Sequence, residues 1–344
     1  MKKILYYTTV IITFAIVLNA CREKNDDDII LGKEKQMLLT LEASGIVEIE
    51  IAGSGSATID WGDNSEIETH LFSLGYSKFR HNYPDSSTRV ITLTGISIEG
   101  LVCNKIQLTS INVSENTALT SLYCDHNLLT NLDISDNTQL ISLSCDHNLL
   151  TSLDISNNIK LTTLWCHENL LTSLKVDKNH ALTKLNCDAN KLTELDVSKN
   201  TLLRELYCDD NELTDLNVDK NISLRELDCG HNLLTVLNVK NNINLTKLNC
   251  TYNNLTNINV SSNIALTELN CSHNLLESLD VTNNIALTDL YCGFNRLESE
   301  SLNELFKTLH NRTILRGKTI YIFWNPGMDE CSVVFAEERG WTVE

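Results

Sequence analysis

Cysteine stands at positions 103, 124, 145, 166, 187, 208, 229, 250, 271 and 292, an interval of 21 residues held without insertion. The residues around it repeat as well. One copy reads Leu119-Thr-Ser-Leu122-Tyr-Cys124-Asp-His-Asn127-Leu-Leu129-Thr-Asn-Leu132-Asp-Ile134-Ser-Asp-Asn137. A fixed short period of this kind predicts a solenoid, in which each repeat is one coil that buries its apolar side by stacking on its neighbours. No other feature of the 344 residues restricts the fold as strongly.

Each column of the repeat has a packing reason. Leu lies two residues before every ladder cysteine, from Leu101 to Leu290, and strand alternation turns that Leu and the Cys toward the same interior. Further apolar columns run from Leu108 to Leu297 and from Val113 to Val281. Asn follows the cysteine by three residues from Asn127 to Asn295, with Ile106 in its place in the first frame. A second Asn column runs from Asn116 to Asn284. Buried amides persist only when hydrogen-bonded, so both columns are expected to bond the backbone of their own turn and the next coil.

The pattern Leu-x-x-Leu-x-Cys-x-x-Asn-x-Leu resembles the leucine-rich repeat, and in its cysteine column the internalin J type of surface adhesin. The resemblance implies a right-handed leucine-rich-repeat solenoid of parallel β coils over residues 99–298. Ten of the twelve cysteines lie on its frame, leaving Cys21 and Cys331. Thiols on successive coils point the same way, whereas a disulfide needs Cβ vectors aimed at each other. A reduced, buried stack of small apolar side chains is expected. Zinc is the alternative, but a linear column does not converge on the tetrahedral geometry it requires.

The chain begins Met1-Lys2-Lys3, continues with an apolar run from Ile4 to Leu18, and reaches Leu18-Asn19-Ala20-Cys21. These residues resemble a bacterial lipoprotein signal peptide with its lipobox, which implies removal of residues 1–20 and lipid attachment at Cys21; an ordinary secretory signal with an incidental cysteine is the other reading. The charged segment that follows, from Arg22 to Asp28, cannot build a core. We read 21–35 as a tether. Its acidic residues resemble the signal that sends some outer-membrane lipoproteins to the cell surface.

Residues 36–98 hold short strands separated by turns, a small β-sandwich-like unit. The stretch from Ile59 through Trp61, Gly62 and Asp63, then His81 and Tyr83, then Val90 to Thr94, resembles a PKD-type immunoglobulin-like domain. Asp60 and Asp63 are expected to form Asx-turns, with Ca²⁺ ligation as the alternative. Residues 299–344 leave the period. Ser301-x-x-Glu304 reads as a capping box opening an amphipathic helix, residues 318–323 as a strand, and 329–339 as a second helix stopped by Gly340. This α/β segment is expected to cap the last coil, with Cys331 free.

Function on a solenoid lies in the outward positions that change between coils. Tyr123, Trp165 and Tyr207 fall on alternate coils, flanked by Asp125, Asp146, Asp188, Asp209, His126, His147 and His167. We expect these ten residues to line the concave face and bind a protein or glycan partner. A solvated acidic face, or a metal site from the Asp and His columns, are the other readings of the same residues. The net charge of −18 argues against nucleic acid as partner. No nucleophile triad, phosphate loop or His-Glu-x-x-His motif stands out, so neither an enzyme nor a cofactor is expected. The overall expectation is a monomeric, outer-membrane-anchored adhesion module; a structural lipoprotein serving another envelope protein of the same cell is the alternative.

Overall fold

The computed structural model describes residues 34–72, 75–311 and 317–344. The signal segment, Cys21 and all but the last two residues of the tether lie outside them. Residues Lys35–Glu344 form one compact unit.

Five strands open the unit: β1 (Lys35–Leu41), β2 (Gly45–Asp60), β3 (Glu68–Leu71), β4 (Ser77–Tyr83) and β5 (Arg89–Val102). β2 pairs antiparallel with β3, β4 and β5, and β1 pairs antiparallel with β5. Alternation buries Val47, Ile49 and Ile51 of β2 and Ile91 and Leu93 of β5 in one apolar core. Trp61 is buried beneath the turn that follows β2, its indole N–H donating to Glu68 Oε1 at 2.7 Å while Tyr83 Oη donates to Trp61 O at 2.6 Å. Asp60 accepts from Gly62 N and Asp63 from Ser65 N, which makes both Asx-turns. His81 Nε2 lies 2.7 Å from the other Asp63 oxygen, and bonds from Ser65 and then His81 hold that carboxyl down at about 2.

β5 does not stop at the end of this unit. Its residues Gly100–Val102 face Glu50–Ala52 of β2 on one side and pair in parallel with β7 (Ser121–Tyr123) on the other. The first coil therefore has no free strand edge toward the N-terminus, a protection that open sheets need. β6 (Leu108–Asn112) pairs with β1 and closes the same coil.

From there the coil strands are three residues long: β8 (Ser142–Ser144), β9 (Thr163–Trp165), β10 (Lys184–Asn186), β11 (Glu205–Tyr207), β12 (Glu226–Asp228), β13 (Lys247–Asn249), β14 (Glu268–Asn270) and β15 (Asp289–Tyr291). They pair in parallel with Leu opposite Leu throughout. The ten ladder cysteines are unbridged and fully buried, and burial raises their thiol pKa values. Both Asn columns are buried, Asn190 only in part. Asn211 Nδ2 donates to Cys187 O, Cys208 O and Asp209 O at 3.0–3.2 Å, and its Oδ1 accepts from Leu192 N at 3.0 Å. In the second column Asn137 Nδ2 donates to Val113 O and Asn116 O of the coil before it.

The cap differs from its expected form. An eleventh rung is built from β16 (Lys318–Tyr321), where Ile322 takes the cysteine's place and Asn325 the ladder asparagine's, bonding Cys292 O, Ile322 O and Leu297 N. β17 (Trp341–Val343) stacks on β16 in parallel. Helix α1 (Ser299–Thr308) begins two residues before Ser301, with Glu298 as an N-cap that makes no side-chain bond, so there is no capping box. The reason lies outside the helix. A β-carbon at Gly327 would fall 2.0 Å from Ser299 N, so the Asn325–Gly327 turn packs on the helix start and sets it. The second helix, α2, is only Val334–Glu337.

The ladder asparagines should dominate stability. Asn211→Ala removes four buried hydrogen bonds and leaves Leu192 N without a partner, and is expected to cost about 3 kcal/mol in urea unfolding. The exposed Asn157→Ala, which loses one bond to Ser135 O, should change stability by less than about 0.5 kcal/mol. Among the eleven cysteines from 103 to 331, maleimide should label only the half-buried Cys331 until the chain is unfolded.

Candidate functional site

Because each coil strand is only three residues long, alternation sends just two side chains per coil outward. One precedes the inward Leu and one follows it. The second column contains Tyr123, Trp165 and Tyr207 in register on alternate coils, two strand spacings or about 9.6 Å apart. Trp165 is 45% exposed, and Tyr207 is tied down by its hydroxyl to Glu226 Oε2 at 2.6 Å. The first column was not singled out from the sequence, although the same alternation identifies it. It holds Lys184, Glu205, Glu226, Lys247 and Glu268, with Lys184 Nζ 2.8 Å from Glu205 Oε1.

The positions after the cysteine are not strand positions, contrary to their expected place on the sheet. The residue two after each cysteine lies in the left-handed region, from Lys105 (φ 58°) through His126 (φ 54°) and His147 (φ 50°) to Phe294 (φ 54°), and Trp324 (φ 62°) continues the column. The chain leaves the strand there so that the next residue, the ladder Asn, can turn inward. Left-handed backbone costs a non-glycine residue roughly 1 kcal/mol or more. None of the eleven positions is glycine.

Repetition of one turn at strand spacing stacks the side chains. His126 and His147 lie parallel, centroids 3.8 Å apart, and His147 meets His167 edge to face at 5.2 Å. Farther along, His231, Tyr252, His273, Phe294 and Trp324 form a continuous ribbon with centroid separations of 4.2, 3.8, 3.9 and 5.8 Å. This second aromatic column is absent from the ten residues expected to bind. Its signal, a histidine or aromatic at the same frame position in four successive coils, is visible in the chain.

The aspartates fall into two groups. Asp146 is buried, with Oδ1 taking a hydrogen bond from Ser144 Oγ and Oδ2 facing His147 Nδ1 at 3.1 Å, His167 Nε2 at 3.5 Å and His126 Nδ1 at 3.9 Å. Asp125 lies 3.1 Å from His126 Nδ1. Burial pulls the His167 imidazole below its ordinary range. Asp188 and Asp209 sit on later coils and join Asp228 instead. Burial first, and the neighbouring carboxylates after it, push Asp188 up to about 7 and raise Asp209; burial also raises Asp228. Glycine at 230 belongs to this packing, since a β-carbon there would lie 2.5 Å from Asp209 Oδ1. These carboxylates are therefore not a solvated acidic face.

The described surface carries depressions on two of its sides. One of about 240 Å³ lies on the outward sheet face between Tyr207, Glu226, Asp228, Lys247 and Glu268. A wider one of about 800 Å³ runs over Ser173, Lys175, Thr193, Glu194 and Asp215. Its lining recurs at the coil period, which makes it a corrugation between rungs and not a built cavity.

Asp188 gives a pH signature. An acid with a raised folded pKa holds a proton in the fold and releases it on unfolding. Its contribution is therefore full below about pH 4 and is lost as pH rises toward about 7. Asp188→Asn keeps the acceptor for Asp209 N, so it should flatten this slope and raise stability at pH 8 by about 2–4 kcal/mol, read from urea midpoints across pH.

No family model matches the chain, and no curated protein matches it. Among solved structures, the functional domain of InlJ from Listeria monocytogenes, described as including a cysteine ladder, is similar over 74% of this chain at 35% identity, with a TM-score of 0.63. The chain spans 59% of that structure's length. An internalin (inlF) from the same species, at 21% identity and TM-score 0.51, covers 66% of this chain and is itself covered to 74%. The leucine-rich repeat domain of APL1B, at 24% identity and TM-score 0.52, covers 64% and is covered to 68%. These two share the fold. The coil pattern, the buried cysteine ladder and the InlJ likeness together make this a leucine-rich-repeat solenoid, similar in its cysteine ladder to the InlJ domain.

Proposed function

We propose that the chain is a protein-binding module of the bacterial cell surface, held to the outer membrane by lipid on Cys21 and monomeric in itself. The observation that carries the reading is the left-handed column. Eleven turns bear the cost of positive φ without once using glycine, so the side chains at that position are retained for something other than backbone geometry. In the later coils those side chains are exposed rings: Tyr252 is 46% and Trp324 is 73% exposed. Exposed aromatics in a row are what a recognition surface presents.

A protein partner suits this surface better than a glycan. Sugar rings stack on free aromatic faces, but in the ribbon each face is taken up by the next ring, leaving edges and polar atoms outward. The sheet adds Trp165 and the interspersed Lys and Glu of the first outward column, which supply charge pairing. The PKD-like β unit is, in this reading, a spacer between tether and solenoid as well as its cap. Among the described residues no helix is long and apolar enough to cross a membrane.

Binding of the full chain to an extracellular-protein array tests the reading. Tyr252→Ala with Phe294→Ala and Trp324→Ala, or Tyr123→Ala with Trp165→Ala and Tyr207→Ala, should weaken a captured partner by about 30-fold or more while the circular dichroism stays that of wild type. Unchanged binding in both triple variants would sink the assignment. Protease shaving of intact cells should release the chain, and Cys21→Ala should abolish its labelling by radioactive palmitate. A chain protected from shaving, with partners found only among envelope proteins of the same cell, supports the accessory-lipoprotein reading instead.

A further inference from the structure

The group around Asp146 is not explained by a protein-recognition face. His147 Nε2 lies 2.9 Å from Glu168 Oε1 and His147 Nδ1 lies 3.1 Å from Asp146 Oδ2. A neutral imidazole carries one N–H. If that proton is given to Glu168, Nδ1 turns a lone pair toward a buried carboxylate oxygen, acceptor against acceptor. Something positive must lie between them. Every ion pair that Asp146 makes among the described residues is to a histidine: His126, His147 or His167.

We propose that His126, Asp146, His147 and His167 form a binding site for a divalent transition-metal ion, with zinc the best fit. The donor set is three imidazoles and one carboxylate, which suits zinc and its neighbours and not the oxygen-seeking calcium or magnesium. The spacing agrees. Ligands about 2.0–2.1 Å from a tetrahedral ion stand about 3.3 Å apart, and the three imidazole nitrogens approach Asp146 Oδ2 at 3.1, 3.5 and 3.9 Å. One ligand atom from each of His126, Asp146 and His147 lies within 4.8 Å of the others.

The supporting contacts are those a metal site uses. Ser144 Oγ holds the second Asp146 oxygen, and Glu168 holds the far nitrogen of His147, the carboxylate–histidine pairing that orients a ligating ring. His147 and His167 meet edge to face, so their ring planes cross and do not stack. His126 lies parallel to His147, and two parallel rings do not share an in-plane ion, so His126 tilts as it ligates. Its side chain is 39% exposed, and to ligate it exchanges its contact with Asp125 for the ion. His167 Nδ1 is buried without a hydrogen-bond partner, which leaves Nε2 as the nitrogen that reaches the site.

The test is zinc titration of the purified, EDTA-stripped full chain by calorimetry. One equivalent should bind with a micromolar or tighter Kd. His147→Ala and His167→Ala should each weaken it at least tenfold, and Asp146→Asn likewise where circular dichroism shows it folded. His273→Ala is the control, since His273 occupies the same turn position as His147 in a ring stack, with Ser272 where Asp146 stands; it should bind as wild type. Cobalt substitution should give a visible spectrum without thiolate charge-transfer. The proposal is overturned by absence of stoichiometric zinc. Equal binding by the two histidine variants, a matching loss in His273→Ala, or a thiolate band overturns it as well.

Discussion

One asparagine side chain ties each rung to the next. Asn148 Nδ2 donates to the carbonyls of Cys124, Cys145 and Asp146, and its Oδ1 accepts from Leu129 N; the same set recurs coil after coil. A buried backbone group left unpaired costs on the order of 1–3 kcal/mol, so four such bonds per coil leave little freedom in how far or at what register the next coil lies. The leucines and cysteines fill the interior that results. They would pack against several arrangements; the amide bonds select one. Because the ladder's bonds are made by backbone and Asn alone, the outward residues take no part in them.

The same regularity imposes a cost that the outward residues reveal. In an exact repeat, whatever stands at one position stands about 4.8 Å from its counterpart on the next coil. Rings gain from that spacing by stacking, as His231 through Phe294 do. Carboxylates lose by it. Asp188 and Asp209 occupy one half-buried column with Asp228 beside them, and the protein holds Asp188 partly protonated near neutrality. Asp146 stands instead against histidines of its own and the neighbouring coils.

The scaffold was legible because every scaffold residue answers to the period. Leu122, Cys124, Leu129 and Asn127 recur at fixed offsets, and all four are buried. What the pattern did not disclose is where the strand ends. Tyr123, Cys124, Asp125 and His126 look like a continuing alternation, but the strand closes at Tyr123 and His126 is left-handed. Nothing local distinguishes these cases, because the turn is enforced by Asn127 reaching across to the previous coil. The eleventh rung was hidden for a different reason. Helix α1 separates Cys292 from Ile322, breaking the interval, although Ile320-x-Ile322-x-x-Asn325 preserves the offsets. Ser301-x-x-Glu304 misled for a third reason: the sequence of a cap was present, but the contact of Gly327 with Ser299 had already placed the helix start elsewhere.

Separation of scaffold from surface explains how one chain can carry two unlike faces. The early coils use the left-handed position for His126 and His147 beside a buried carboxylate, and the later coils use it for Tyr252, Phe294 and Trp324. Exchanging one for another alters no bond of the Asn ladder, since those bonds use the carbonyls of the turn and not its side chains. The expense is already met by the fold: left-handed backbone is imposed at this position whichever residue stands there. A chain built this way can change what it recognises coil by coil. It is constrained chiefly by its neighbours along the column, because each new side chain must tolerate contact with the one above and the one below.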